Sequence, residues 1–350
     1  MTKEPKNIAA VLPEFYRIEL QEMPMPTVRP GDVLLKVEYV GICGSNIHMF
    51  QHGPTQPPTD PNTKLVFGHE CAGEIVGLGS EVKKFRLGDK VVIEPGIPCG
   101  KCRYCLSGRY NLCPDVDFID VQPTYYGALR NYVAFPASST YLLPENVSTL
   151  EGALVEPAAV GMHAAELAGV KPGKRIVILG AGCIGLMTLQ ACRVMGASEI
   201  LVVDLVEKRL QMAKQFGAIR VCNSAEEDAV ALVREYFPDG ADIVFETAGA
   251  KPTAMMTTKM VARGGKIMIV GTIPGETPVN FLSINREVTI QTVFRYCNNF
   301  PMTLDAIASG RFDVKSMITN IYDFCDTQRA FEEALSQRQH IIKSVIRVSE

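Results

Sequence analysis

The chain of 350 residues lacks several features that would place it in a specialised class. It has no excess of positive charge. Its 35 lysines and arginines stand against 38 acids, a formal net charge of −3, which argues against nucleic acid as the main partner. The amino-terminal run MTKEPKNIAAVLPEF has no apolar stretch of signal-peptide length. The longest apolar candidate for a membrane span, Ile176 to Cys192, is interrupted by Gly180, Gly182, Gly185, Thr188 and Gln190. It reads instead as a buried strand, a tight turn and a helix, so no membrane partner is expected. The 11 cysteines do not make a disulfide framework: the number is odd and four of them crowd into one short segment. Cys71, Cys183, Cys192 and Cys222 sit in apolar runs, as small buried hydrophobes do. A reducing, cytoplasmic compartment is expected. There is no internal repeat and no low-complexity stretch.

What is present is the composition of a globular protein, 47% hydrophobic and 21% charged, with 29 glycines and 22 prolines to punctuate turns. The length suits two domains. In the first third, short runs such as DVLLKVEYV, LVFGHECAGEIVGLG and DKVVIEP are separated by Pro and Gly, a pattern of partly closed β-sheet. From about Lys174 the texture changes. RIVILG, EILVVD, DIVFETAG and GKIMIVG are nearly all-apolar strands, and helical stretches such as GLMTLQACRVMG and LVEKRLQMAKQFG lie between them. That alternation predicts an α/β, doubly wound parallel sheet of the Rossmann kind. After Thr292 the β-rich texture partly returns, ending in HIIKSVIRVS. The expected organisation is one domain made from residues 1–157 and 293–350, with the doubly wound domain of residues 158–292 inserted.

The sequence Gly180-Ala181-Gly182-Cys183-Ile184-Gly185 follows an apolar strand and opens an apolar-periodic helix, and the next strand ends in Asp204. In that context G-x-G-x-x-G is a dinucleotide fingerprint. Gly180 permits the turn, Gly182 lets the backbone approach a pyrophosphate, and Gly185 lets helix and strand pack closely, while the helix amides meet the phosphate charge. Asp204 suits the ribose hydroxyls and repels a 2′-phosphate, which favours NAD over NADP. Arg209 is able to assist a 2′-phosphate, but beside an acid it reads as a cover for the adenine.

Cys99, Cys102, Cys105 and Cys113 offer four thiolates within fifteen residues, the donor set of a closed, structural tetrahedral zinc site. A second set is dispersed: Cys43 in GICGSNIH, His69 and Glu70 in GHE, and Glu156 in VEP. Thiolate, imidazole and carboxylate together hold zinc while leaving a position open. Spacing alone does not assemble this set. A Gly-His-Glu is as often a hydrogen-bonded buried histidine, and one cysteine in a turn is usually inert.

GICGSNIH, GHECAGEIVGLGSEV, GDKVVIEP, CGKCRYCLSGRYNLC, ALVEPAAVGMHA and VILGAGCIGL follow one another in the order of the zinc-containing medium-chain alcohol dehydrogenases, which the chain resembles over nearly its whole length. GALVEPAAVG with VFRYCN (residues 293–298) is most similar to the sorbitol and related polyol dehydrogenases. The resemblance implies a GroES-like catalytic domain, one catalytic and one structural zinc, and a homo-oligomer, tetramer or dimer. It implies catalytic-zinc positions at Cys43, His69 and Glu70, with Glu70 binding directly or through water and Glu156 binding the metal or its water. Ser45 and His48 match a hydroxyl and an imidazole near the substrate. Phe118, Arg295 and Tyr296 match substrate contacts, and Thr247, Val270, Gly271 and Phe294 join Gly180, Gly182, Cys183, Ile184, Gly185, Asp204 and Arg209 as cofactor positions. The implied reaction is oxidation of a secondary hydroxyl of a polyol, of sorbitol or xylitol type, to a ketose. A butanediol- or threonine-type dehydrogenase is the alternative, and a non-catalytic nucleotide-binding descendant a remoter one. His52, His163 and His340 carry no expected role. One departure stands out: the family's run is Cys-Gly-Ser-Asp, and here Asn46 fills the last place. That acid normally orients the zinc-bound histidine and raises its basicity. With an amide there, the zinc is expected to be less electron-rich and more labile.

Overall fold

A computed structural model describes residues 5–54, 58, 60, 62–120 and 126–349. Contacts divide the chain into two units: residues 1–156, 300–308 and 314–350, and residues 157–299 with 309–313.

The first unit is built on a seven-stranded sheet. Its centre is the strand Asp32–Gly41, where Val33, Leu35 and Val37 alternate inward and are fully buried. This strand pairs antiparallel with Glu70–Leu78, Tyr132–Pro136 and the carboxy-terminal strand Lys343–Arg347. The two ends of the chain therefore share one sheet. Its pairing with Glu70–Leu78 carries two register shifts, between Leu34 and Leu35 and between Val37 and Tyr39, which bend the strands and curl the sheet. The segment after residue 299 contributes helices as well as strands. In helix Thr327–Ser336, Phe331 packs its ring 4.8 Å from that of Phe67 and 5.5 Å from that of Phe50, tying the carboxy-terminal segment of the unit to its first.

The second unit is a six-stranded parallel sheet in the order Arg220–Asn223, Glu199–Asp204, Arg175–Leu179, Ala241–Glu246, Val261–Ile269, Thr289–Thr292. Numbered along the chain this is 3-2-1-4-5-6, the doubly wound order. Helices Cys183–Val194, Glu207–Gln215, Ala229–Tyr236 and Lys251–Met260 make the crossovers. The central strands are covered on both faces, which is why they read as unbroken apolar runs; Ile176 to Leu179 are fully buried. Helix Ala229–Tyr236 begins where the Asp228 carboxylate accepts the Val230 and Ala231 N–H groups. Residues 293–299 belong with this unit: the Val293 N–H donates to Ile269 O, and Asn299 Nδ2 donates to Glu166 Oε2 at 2.8 Å. The change of unit thus falls at 299/300 rather than at the expected 292/293. No helix among the described residues is long and apolar enough to cross a membrane.

Candidate functional site

In the first unit the sheet register brings the dispersed residues together. Gly41 is paired with Glu70 at the end of the antiparallel strands, so Cys43, just beyond Gly41, meets His69, just before Glu70. Ligand atoms of Cys43, His69 and Glu70 lie within 4.8 Å of one another. Cys43 stands at the start of helix Gly44–His52, where its N–H donates to Asn46 Oδ1 at 3.2 Å. Ser45 and His48 lie three residues apart on this helix and are exposed. Phe118 is buried, its ring 5.3 Å from that of His69. Glu156 is buried in helix Val155–Ala168 but does not belong to the three-residue cluster.

His69 has a charged partner that sequence reading missed. Its Nδ1 lies 2.6 Å from Asp120 Oδ2, and the same oxygen accepts Asn46 Nδ2 at 2.6 Å and the Gly68 N–H at 3.2 Å. Burial works against both charges, yet each stabilises the other. The Asp120 carboxylate and Cys43 hold His69 well above the ordinary histidine range. His69, Asn46 and the Gly68 amide keep Asp120 below the usual carboxylate range. The expectation that His69 lacks a negative partner is therefore corrected: the charge absent at Asn46 is present at Asp120.

The four cysteines also converge, around helix Arg103–Leu106, with all four sulfurs within 4.8 Å of one another. Cys102 and Cys105 sulfurs are 3.5 Å apart, Cys99 and Cys105 sulfurs 4.0 Å. Four sulfurs at ~2.3 Å from a tetrahedral centre would be about 3.8 Å apart, so the cage has the size zinc needs. The N–H groups of Lys101 and Cys102 draw the Cys99 thiol down to about 7. One sulfur is thus near ionisation at neutral pH.

In the second unit the three glycines occupy three different spaces. A Cβ at Gly180 (φ 102°) would meet Ala248 N at 2.8 Å, and one at Gly185 would lie 1.9 Å from Gly180 O and 2.7 Å from Thr247 Oγ1. At Gly182 a Cβ would meet nothing within 4 Å, so the backbone there is open to a ligand. Gly182 caps helix Cys183–Val194, whose first turn is Cys183, Ile184 and Gly185. Asp204, at the end of its strand, accepts the Ala181 N–H at 2.6 Å and those of Leu205 and Val206 at 2.8 and 2.9 Å. Thr247, Val270 and Gly271 follow the carboxyl ends of their strands; Thr247 Oγ1 donates to Leu179 O and Gly180 O, and Val270 and Gly271 N–H groups donate to Glu246 O. All lie at the sheet edge where ligands of doubly wound folds bind. Arg209 is half-buried on helix Glu207–Gln215. Phe294 is exposed with the Arg295 guanidinium 4.8 Å from its ring, and Tyr296 is buried. Arg295 and Asn298 both have left-handed backbones, φ 54° and 61°, an uncommon state that two tight bends impose.

Residues 29–145 match the alcohol dehydrogenase GroES-like domain, and residues 183–309 match the zinc-binding dehydrogenase domain. The chain is 61% identical to the uncharacterized zinc-type alcohol dehydrogenase-like protein YdjJ of Escherichia coli strain K12, over 99% of this chain and 100% of that protein. It is 39% identical to the sorbitol dehydrogenase of Bacillus subtilis strain 168, over 98% of each. A crystal structure of an Escherichia coli oxidoreductase/dehydrogenase of unknown specificity superposes with a TM-score of 0.98 at 59% identity, covering 99% of this chain and 100% of that one. The chain belongs to the zinc-containing medium-chain alcohol dehydrogenases, on the sorbitol/polyol branch. It is an oxidoreductase that works with zinc and a nicotinamide cofactor.

For a zinc dehydrogenase the donor chemistry fits. Cys43, His69 and Glu70 offer a soft sulfur, an imidazole and a carboxylate, and Asp120 on Nδ1 leaves Nε2 of His69 for a metal. A second residue also escaped sequence reading. Lys343, from the apolar carboxy-terminal strand, pairs with the Glu70 carboxylate and donates to Ile42 O at 3.1 Å, both charged side chains being nearly inaccessible. Gly41 makes room for this pair, since a Cβ there would lie 2.0 Å from Glu70 Oε2. The visible signal was a lysine inside HIIKSVIRVS; its partner, 273 positions away, was not visible.

Proposed function

We propose that this dehydrogenase oxidises a secondary hydroxyl of a polyol, of sorbitol or xylitol type, to a ketose and passes the hydride to NAD. The observation that carries the reading is the convergence of Cys43, His69 and Glu70 in one cluster, backed by Asp120 and ringed by Phe118. Cys43, His69 and Glu70 would hold the catalytic zinc, with Glu156 at the metal or its water, and the four cysteines would hold a second, structural zinc. When bound, zinc supplies Lewis acidity toward the substrate hydroxyl and the nicotinamide accepts the hydride. Ser45, exposed on helix Gly44–His52, would accept the hydroxyl proton as it gives its own to a neutral His48, one turn on along the same helix, which then releases a proton to solvent. Arg295 and Tyr296 donate to the remaining substrate hydroxyls, and Phe118 excludes water beside His69.

The residues that hold the cofactor are Gly180, Gly182, Cys183, Ile184 and Gly185 at the pyrophosphate, Asp204 at the ribose, Arg209 over the adenine, and Thr247, Val270, Gly271 and Phe294 toward the nicotinamide. Asp204 supports NAD: its carboxylate faces the Gly180–Gly182 turn through the Ala181 N–H and would repel a 2′-phosphate. The unit of residues 157–299 and 309–313 serves as the NAD-binding domain and the other unit as the catalytic domain. The enzyme acts in the cytoplasm as a homo-oligomer, dimer or tetramer.

Steady-state rates on sorbitol, xylitol, butane-2,3-diol and threonine with each cofactor test this reading. Polyols with NAD should give the highest kcat/KM. A tenfold preference for NADP would remove the Asp204 assignment, and a preference for threonine or butanediol would replace the polyol.

A further inference from the structure

We infer that in this chain the carboxylate that orients the metal-binding histidine has moved from helix Gly44–His52 to Asp120, just after the strand Asp117–Phe118, and that Asn46 is the amide matched to it. The inference rests on reading Cys43, His69 and Glu70 as the catalytic metal site, and it makes Asp120 and Asn46 positioning residues for His69.

Three hydrogen bonds argue for it. Asp120 Oδ2 receives His69 Nδ1 at 2.6 Å, Asn46 Nδ2 at 2.6 Å and the Gly68 N–H at 3.2 Å, and both Asn46 and Asp120 are at most 3% exposed. A buried carboxylate needs donors. Asn46 supplies one with its amide nitrogen while its oxygen accepts the Cys43 N–H. It thereby ties the residues that carry two of the three ligands into one network. Aspartate at position 46 would keep the bond from Cys43 but offer no donor to Asp120. Two carboxylates would then face each other at hydrogen-bond distance in a dry site, where the amide donor that Asn46 now supplies would be gone. An acid at 120 therefore requires an amide at 46, and an acid at 46 would require a neutral group at 120. The two positions trade one charge between them. Asp117 and Phe118 pair with Gly96 and Ile97 in a short antiparallel ribbon, which fixes where the chain delivers Asp120.

The test is a reciprocal swap: wild type, Asp120→Asn, and the double variant Asn46→Asp/Asp120→Asn. Each is purified with zinc and challenged with a graded chelator, with zinc per chain read at each step. The zinc held by the four cysteines serves as an internal reference. Asp120→Asn should weaken retention of the second zinc by about 10–100-fold, the usual effect of removing a ligand's hydrogen-bonded carboxylate, with the cysteine-held zinc unchanged. The double variant should return to within about threefold of wild type, which loss of packing alone would not produce. Wild-type retention in Asp120→Asn, or a double variant no better than the single, overturns the inference. Should Asp120→Asn fail to fold, the double variant decides alone: folded with wild-type retention supports the inference, and anything less overturns it. A wild-type protein holding only one zinc would remove the metal reading itself, and this inference with it.

Discussion

Replacing Lys343 by methionine removes the only charge seen pairing with Glu70 among the described residues while keeping most of the side chain's apolar stem. Side-chain exposure is 3% for Lys343 and 1% for Glu70, so water compensates neither partner. Breaking one side of such a pair typically costs about 3–5 kcal/mol, because the other charge is left buried. For a unit of this size each kcal/mol corresponds to roughly 2–4 °C, so chelator-treated Lys343→Met should melt about 10 °C below wild type. Removing both charges, in Glu70→Gln/Lys343→Met, should recover most of that loss, because the two substitutions are coupled through one contact. Differential scanning calorimetry of the four proteins closes the cycle. With zinc bound the single-variant loss should shrink, since the cation stands in for the lysine charge. A loss under about 1 kcal/mol, or single losses that simply add in the double variant, would refute the reasoning.

Two further perturbations separate packing from ligand contact. Gly185→Ala places a Cβ 1.9 Å from Gly180 O and should lower the melting temperature and abolish NAD binding, whereas Gly182→Ala, with open space around its Cβ, should melt as wild type yet bind NAD at least tenfold more weakly by calorimetric titration. Equal effects of the two on stability would contradict the assigned roles. Asp242 is held below the usual carboxylate range: burial opposes its charge, but the Arg175 N–H and guanidinium and the Lys174 ammonium outweigh it. A lowered folded pKa gives stability that is present above the unfolded value of ~3.9 and is lost as pH falls through the folded one. Wild type should therefore exceed Asp242→Asn by about 1 kcal/mol near pH 6, with the gap closing as pH falls below the unfolded value and through the lowered folded one; a gap independent of pH would speak against this linkage.

The parts of the molecule that sequence made legible are those in which local chemistry suffices. Strands such as RIVILG and EILVVD are buried on both faces and read as unbroken apolar runs, so the doubly wound unit and its glycine turn follow directly. The four cysteines lie within one short loop and helix, and their spacing alone implies the cage. The remainder depends on register. Cys43 and His69 meet only because Gly41 pairs with Glu70, which no local pattern states, and the family resemblance was needed to group them. Asp120 lies 51 positions from His69 and follows a two-residue strand, too short to leave a periodic signal. Asn46 was legible as a departure but not as half of a pair. Lys343 was hidden for the same reason as Asp120: its partner is set by the antiparallel match of the last strand with Asp32–Gly41. The segment after Thr292 read as β-rich, yet it holds helices Phe300–Ala308 and Thr327–Ser336, whose apolar residues face one side only and so blend into the strand runs around them.

The central claim is that polyol oxidation depends on a zinc held by Cys43, His69 and Glu70. The most direct measurement is NAD reduction on sorbitol and xylitol, followed against zinc content as chelator removes the more labile metal and added zinc restores it. The account predicts about two zinc ions per chain at full activity, activity falling in proportion to loss of the second, and recovery on its return. Full turnover by protein holding only the cysteine-bound zinc would contradict it.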